Sequence, residues 1–417
     1  MTEADAEKLR RADAALAEMR WAEAVELYGA ELVRKPDRPA ILNNLGIALT
    51  ELNRMAEAMA MFRKAFSIAP TDPMVVANYG NFLSYLGIDD VAVAAYEAAL
   101  SLAPDHKDIA GNYSMVLLRA GRLAEGWRAF ERRTRHTDPS EAAGIPLLDD
   151  LDGIAGKTVL VFHEQGFGDS LMMLRFVPHL AARGARVILR MPPELMRLAG
   201  TVAGVAQVVG EFEEPPPIDV VSPMMSLPRL LGITLETIPA KMPYVMAETA
   251  ERAAWRRALG SLPGPRIGLV WAGSPRGGLD RRRSMTFQHL RPLFDLPASF
   301  VSLQKGPAGA DWAPLGPAAA LDPTDRLSDF AATAALVAEL DLVIAVDTST
   351  AHLAGSLGVP VWLLNRYDTC WRWQSRRIDS PWYPSLRLFR QPKPGDWEGT
   401  VAAATETLKA WLPAPRP

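Results

Sequence analysis

The sequence predicts an all-helical repeat array followed by an α/β region of two successive parallel-sheet units. A 34-residue pattern recurs four times in the first third of the chain and then stops. Beyond residue 157, short β-rich apolar runs alternate with helical patterns, as in a parallel sheet covered on both faces by helices. The alternation restarts after Pro263 and Pro265, and a glycine-bearing turn follows the first strand of each unit. A chain of 417 residues is too long for one ordinary core, so roughly two to four domains are expected.

The repeat frames begin at Asp5, Pro39, Pro73 and Lys107. Position 20 then reads Ala24, Ala58, Ala92 and Gly126, and position 24 reads Tyr28, Phe62, Tyr96 and Phe130. Position 32 gives Pro36, Pro70 and Pro104, and position 8 gives Gly46 and Gly80. Small residues let two antiparallel helices approach closely, and the proline stops the second helix of each pair. These are the marks of a tetratricopeptide repeat (TPR). Such repeats stack into a superhelix with a concave groove. The array is expected over residues 1–138. The fourth repeat is atypical: it carries Gly126-Trp127, and Arg132, Arg133 and Arg135 crowd its end, with the proline displaced to Pro139.

A linker is expected over 139–154, and the first Rossmann-like unit over 155–250. Its strands are read at Thr158–Phe162, Ala185–Leu189, Ala206–Val209 and Ile218–Val221, with a helix from Ser170 to about Ala182 that Gly184 ends. The second unit is expected over 262–392. It has strands at Arg266–Trp271, Phe300–Leu303, Leu340–Val346 and Pro360–Leu364, with a helix beginning near Thr350. A terminal amphipathic helix, Trp397–Trp411, and a Pro-rich tail fill 393–417. Two facing Rossmann-like domains with a cleft between them follow from this order.

Composition narrows the function. A net charge of −3 gives no reason to expect nucleic acid. The lone cysteine, Cys370, excludes an internal disulfide and any multi-cysteine metal site, which suits a reducing compartment. The opening MTEADAEKLR lacks the apolar core of a signal peptide. No run reaches the roughly 18 apolar residues that span a bilayer. A cytoplasmic location is the expectation.

Three segments could carry chemistry. His163-Glu164-Gln165-Gly166-Phe167-Gly168-Asp169 lies at the carboxyl end of the first strand, where ligands of open α/β sheets bind. Asp169 there either caps the next helix or acts on a ligand. The turn lacks the full G-x-G-x-x-G fingerprint, which argues against a nicotinamide site. In the second unit, Asp347, Thr348, Ser349 and His352 fall where a buried strand ends and a helix begins. Free N–H groups and hydroxyls there suit a phosphate; the bland alternative is an ordinary cap with a packed histidine. The third segment is Trp271-Ala272-Gly273-Ser274, followed by Arg281, Arg282 and Arg283. Clustered guanidiniums fit an anion, or form a solvated loop. Asp150-Leu151-Asp152 imitates a metal motif but lies in the linker, and no cluster of metal-ligating residues is visible in the sequence.

Residues from about 155 to 412 resemble glycosyltransferase family 9, the ADP-heptose:lipopolysaccharide heptosyltransferases, whose fold is the two-Rossmann GT-B arrangement. Gly168-Asp169 matches that family's Gly-Asp, implying Asp169 as general base. Asp347-Thr348 with His352 matches its D-T-x-x-x-H donor motif. The chain departs from the family at Arg281–Arg283, where a lysine contacts the donor phosphate, and at Gln304-Lys305, where a glutamate contacts the nucleoside. A more specific likeness, through Gly126-Trp127, His163–Asp169, Val270–Gly273 and Ser380–Pro384, is to bacterial proteins that fuse such a domain to tetratricopeptide repeats. Position 6 of repeats two to four is Asn44, Asn78 and Asn112, with Arg10 in the first. This row resembles the asparagine ladder of O-linked N-acetylglucosamine transferase, which holds peptide backbone. An amide matches a peptide bond whatever its side chain; the same residues could instead pack between helix pairs.

The combined expectation is a metal-independent GT-B glycosyltransferase without a cofactor, using a nucleotide-sugar as co-substrate. Hexosyl, heptosyl and nonulosonyl transfer stay open. A flagellin-like protein acceptor held by the repeat groove is expected over a lipid. The rival is a catalytically silent TPR/GT-B scaffold, and a GT-B epimerase would need no groove.

Overall fold

The computed structural model describes residues 3–133, 144–275, 280–312 and 319–412. Arg135, His136, Pro139, the first five linker positions and the tail beyond Leu412 lie outside the described residues. The chain divides into two compact units, Met1–Thr134 and Arg135–Pro417.

The first unit is four helix pairs: α1 (Glu3–Ala17) with α2 (Trp21–Arg34), α3 (Pro39–Glu51) with α4 (Met55–Ile68), α5 (Pro73–Tyr85) with α6 (Asp89–Leu102), and α7 (Lys107–Arg119) with α8 (Leu123–Phe130). Pro39 and Pro73 stand at the first helical position, where a missing N–H costs nothing. Asp72 caps α5 by accepting from Met74 N at 2.9 Å. The small-residue rule has a direct cause. A Cβ on Gly46 would lie 2.9 Å from the Phe62 ring, and one on Gly126 would lie 2.7 Å from Leu118. Position 9 follows the aromatic at position 24. The Tyr28 hydroxyl donates to Asp13 at 2.6 Å, and that of Tyr96 bonds Asn81. Where phenylalanine stands instead, position 9 is Ile47 or Met115. The atypical fourth pair is fully formed, with Trp127 buried edge-on to Phe130.

The second unit holds two all-parallel sheets. The first has four strands, β1 (Thr158–Phe162), β2 (Arg186–Met191), β3 (Val205–Gly210) and β4 (Val220–Pro223), in the order β3-β2-β1-β4. The second has β5 (Arg266–Val270), β6 (Ser299–Ser302), β7 (Ala319–Leu321), β8 (Leu342–Val346), β9 (Val361–Asn365) and β10 (Leu386–Arg390), in the order β10-β9-β8-β5-β6-β7. This is the doubly wound order, whose switch point lies between its first and fourth strands, β5 and β8. The order expected from the sequence is present: a helical repeat region precedes an α/β unit with two parallel sheets.

Several details differ from the expectation. The helix read from Ser170 to Ala182 is broken into Phe167–Met173, a tighter turn Leu174–Phe176, and Val177–Ala181. Pro178 has no N–H to continue the ladder. Strands β7 and β10 went unread. The segment expected as a linker joins the first sheet, because Leu148 N donates to Val221 O at 2.8 Å and Val221 N to Pro146 O at 3.0 Å. The final helix, Trp397–Trp411, is part of the second core, burying Val401, Ala404 and Leu408 with Trp362 and Phe389.

Candidate active site

The two sheets meet through the helices that follow β1 and β8. Helix Phe167–Met173 packs on helix Ser349–Ser356, and the contact is close because Gly168 has no side chain. A Cβ there would lie 2.7 Å from Cδ2 of His352. Edge-on packing of Phe167 on Phe330 continues the junction. Arg175 pins it. Its guanidinium, buried in the first half, donates to the Trp382 carbonyl at 2.6 Å, the Pro239 carbonyl at 3.2 Å and the Tyr244 hydroxyl at 3.1 Å. The rings of Tyr244 and Tyr383 each lie 4.8 Å from it.

His352 therefore sits in a closed setting. Its ring stacks on Trp373 at 5.1 Å, Nδ1 bonds the Tyr383 hydroxyl at 2.9 Å, and Nε2 lies 4.0 Å from Asp347 Oδ1. Burial, aided by the charge of Arg175, pushes its pKa down to about 3, so the imidazole is neutral at ordinary pH. Burial moves Asp347 the other way, upward, against the charge of Arg366. The Thr348 hydroxyl donates back to Val346 O at 3.2 Å and makes no bond to the helix start, and Ser349 is half-buried beside it.

Asp169 is only 8% exposed. The helix starts at Phe167 and not at Ser170, so its N-cap is Gly166, and one carboxylate oxygen of Asp169 reaches back from the third helical position to accept from Gly166 N at 3.2 Å. The other is ion-paired with Arg372 of the second half. His163, the neighbouring alternative, bonds Ser170 Oγ through Nδ1 at 2.6 Å, and burial lowers its pKa.

The third segment is held from behind. Gln304 Oε1 accepts from Trp271 N at 3.0 Å and Ala272 N at 2.8 Å, while its Nε2 donates to the carbonyls of Ala272 and Lys305. Its amide faces the loop backbone. Lys305 Nζ reaches the Leu327 carbonyl at 2.5 Å. Gly273 lies under Arg283, where a Cβ would be 2.5 Å from Nε. Arg283 pairs with Asp280 at 3.1 Å and reaches Ser274 O at 3.4 Å, and Arg281 is exposed.

Thus the elements after β1 and β8 meet, and the loop after β5 lies near enough for the charge of Arg283 to act on Asp347 and for Arg282 to bond Asp368 at 2.9 Å, as strand ends at a switch point should. The sequence reading missed Arg366, Arg372, Trp373 and Arg175. Arg366 follows β9 and pairs with Asp368 at 3.3 Å. It is 10% exposed, and its Nε has no hydrogen-bond partner among the described residues. Its position just past a strand's carboxyl end was the available signal. Among the described residues, no group of three His, Cys, Asp or Glu side chains could hold a metal ion. No helix there is long and apolar enough to cross a membrane. In the repeat unit, Asn44 donates to the Tyr28 hydroxyl at 3.3 Å, Asn78 accepts from Asn81 at 3.3 Å, and Asn112 is exposed.

Residues 9–73 and 90–142 match the tetratricopeptide repeat family. The repeats also resemble a thermophilic TPR protein of Thermus thermophilus at 22% identity, over 29% of this chain and 68% of that one, with a TM-score of 0.28. The crystal structure of the glycosyl transferase family 9 from Veillonella parvula DSM 2008 is similar at 12% identity, over 64% of this chain and 100% of that one, with a TM-score of 0.44. Protein FlbA of Caulobacter vibrioides is 27% identical over 332 residues, 70% of this chain and 54% of its own, so the chain spans about half the length of that curated relative.

Proposed function

We propose that the α/β unit transfers a sugar from a nucleotide-sugar donor to an acceptor, and that the repeats hold that acceptor, a flagellin-like protein. The observation that carries this reading is the meeting of Asp169, from the first sheet, with the cation-rich strand ends of the second at its switch point. The donor diphosphate would lie against the start of helix Ser349–Ser356, beside Asp347, Thr348, Ser274 and Arg281. Arg366 and Arg372 add to that charge. Fixed cations and N–H groups there stabilise a leaving diphosphate. Gly273, Arg283, Gln304, Lys305 and His352 serve by shaping the loops and the junction. Asp169 takes the acceptor hydroxyl's proton, and Asn44, Asn78 and Asn112 hold the acceptor backbone.

A silent scaffold is the second reading. The ion pair of Asp169 and the inward-facing Gln304 favour it. Thermal shift against a panel of nucleoside diphosphates separates the two. A ligand at 100 times its Kd adds about 2.7 kcal/mol, so one nucleotide should raise the melting temperature of the α/β unit selectively. No shift from any of them at millimolar concentration would remove the donor site and leave the scaffold.

A further inference from the structure

We propose that Arg372 is a positioning residue that guards Asp169: it masks the carboxylate while the cleft is empty and moves to the donor's diphosphate when one binds. The inference rests on the transferase reading and adds to it a residue and an order of events.

The geometry gives Arg372 a divided environment. One Nη bonds Asp169 across the junction, the other donates to the Cys370 thiol at 2.7 Å, and Nε has no hydrogen-bond partner among the described residues. Burial pushes the thiol up to about 12, so Cys370 stays neutral and supplies no counter-charge. The same burial lowers Arg372 only to about 10, so the guanidinium remains a cation at neutral pH. Asp169 is its charge partner, and a buried charge without one is costly. Arg372 stands one residue before Trp373, whose ring stacks on His352 in the first turn of helix Ser349–Ser356. It is thus placed beside the helix start assigned to the diphosphate. A guanidinium matches phosphate oxygens with parallel N–H bonds.

A carboxylate held by Arg372 has one oxygen occupied and its charge neutralised, so it is a poor acceptor for the hydroxyl proton. A diphosphate offers Arg372 more negative charge and an acceptor for the unpartnered Nε. Once the guanidinium has moved, Asp169 is free. The acceptor oxygen then bonds the sugar's anomeric carbon, and the carbon–oxygen bond to phosphate breaks. The nucleoside diphosphate leaves, and the acceptor's proton ends on Asp169. Until the donor arrives, no base is exposed to activate water or acceptor.

The test is a double-mutant cycle on the full-length protein, titrated with inorganic pyrophosphate in a calorimeter. If Asp169 and the anion compete for Arg372, Asp169→Asn releases the guanidinium and tightens pyrophosphate binding, by about tenfold, within the usual 5–150-fold range of coupling between sites. In an Arg372→Met background the same Asp169→Asn step should change affinity by less than about twofold, which isolates the coupling from simple removal of a negative charge. Arg372→Gln supplies this arm should Arg372→Met not fold. Equal gains in both backgrounds, or no gain in Asp169→Asn, overturn the guard while leaving the donor site standing. A wild-type protein that binds neither pyrophosphate nor any nucleoside diphosphate instead overturns the transferase reading beneath it.

Discussion

The two compact units solve the same problem, closing helices around buried polar groups, in opposite ways. In the repeats, each role recurs at a fixed place and the polar bonds stay within a helix pair or reach the next one: Tyr28 to Asp13 and Tyr96 to Asn81 are both 15 residues apart, and Arg119 reaches Ser84 across 35. In the α/β unit, the decisive bonds are long. Asp169 to Arg372 spans 203 residues and Arg175 to Trp382 spans 207. Repetition distributes stability over equivalent contacts, whereas the α/β junction concentrates it in a few unrepeated side chains. The comparison predicts that single changes in the α/β unit alter chemistry or cooperativity, and those in the repeats alter affinity or local stability.

The largest expected effect is at Asp169. As a general base it is worth roughly 10²–10⁴-fold in rate, and as a helix cap about 1 kcal/mol of stability. Asparagine can still accept the Gly166 N–H bond through its amide oxygen but takes no proton at neutral pH. Asp169→Asn should lower the melting temperature of the α/β unit, because it leaves the Arg372 guanidinium without its charge partner, and transfer by the folded variant should fall at least about a hundredfold. A variant with full transfer activity would move the base to His163 or Glu164.

The counterpart in the repeats is Asn78→Ala with Asn112→Ala. Each hydrogen bond to acceptor backbone contributes about 0.5–1.5 kcal/mol, so the pair should raise the acceptor KM by roughly fivefold to a hundredfold with kcat unchanged. Steady-state kinetics with a protein acceptor reads both. Unaltered kinetics would return the asparagines to packing, as the bonds of Asn44 to Tyr28 and Asn78 to Asn81 already allow.

What could be read from the sequence follows the same divide. The frames, the helix pairs and most strands were legible, because periodicity and β-rich runs are local signals. The loops at strand ends were legible too, since a glycine turn after a buried strand marks a ligand-binding edge. Arg372 and Arg175 were not. Nothing near Arg372 in sequence says that it faces Asp169, and an arginine between tryptophans reads as readily as surface. The inward turn of Gln304 was equally hidden, because three of its four bonds go to backbone that only the fold brings near.

A third prediction tests the junction itself. Gly168→Ala adds a methyl 2.7 Å from the His352 ring, which is fixed by Trp373 and Tyr383. Overpacking of this kind costs about 1–3 kcal/mol. The α/β transition should melt lower while the repeat transition is unchanged. An unmoved α/β transition would mean that the two helices slide apart freely.

His352 makes the junction sensitive to acid. Its folded pKa of about 3 lies below the ordinary 6.5, so the unfolded chain binds a proton first. The stability gained by keeping the ring neutral is complete above the unfolded value. It is lost progressively as pH falls from there toward the folded value, at no more than about 1.4 kcal/mol per unit. Between roughly pH 6.5 and 5, where ordinary carboxylates titrate little, His352→Gln should flatten the loss of α/β stability. Equal slopes for wild type and variant would show that the imidazole is not what acid attacks.

The smallest expected effect lies where the repeats are least alike. Position 15 ends the first helix of every pair in a left-handed backbone, at Met19 (φ 59°), Asn53 (φ 60°), Gly87 (φ 73°) and Gly121 (φ 83°). The bonds around it are the same each time: Arg20 N donates to Ala15 O, Arg54 N to Leu49 O, Ile88 N to Leu83 O, and Arg122 N to Leu117 O. This is the six-to-one closure of a helix that glycine makes without steric cost. Asparagine tolerates that conformation, but methionine does not, at a penalty of roughly 1–2 kcal/mol. The Met19 side chain is 53% exposed and little packing depends on it. Glycine also loses more freedom on folding than methionine, which offsets part of the gain. Met19→Gly should therefore stabilise the first repeat by about 0.5–1 kcal/mol, read as a later onset of the repeat transition in urea. The reverse change, Gly87→Met, should destabilise by about as much. A Met19→Gly protein that unfolds earlier would show that the first turn is held by its side chain, and that the four repeats share a backbone without sharing its energetics.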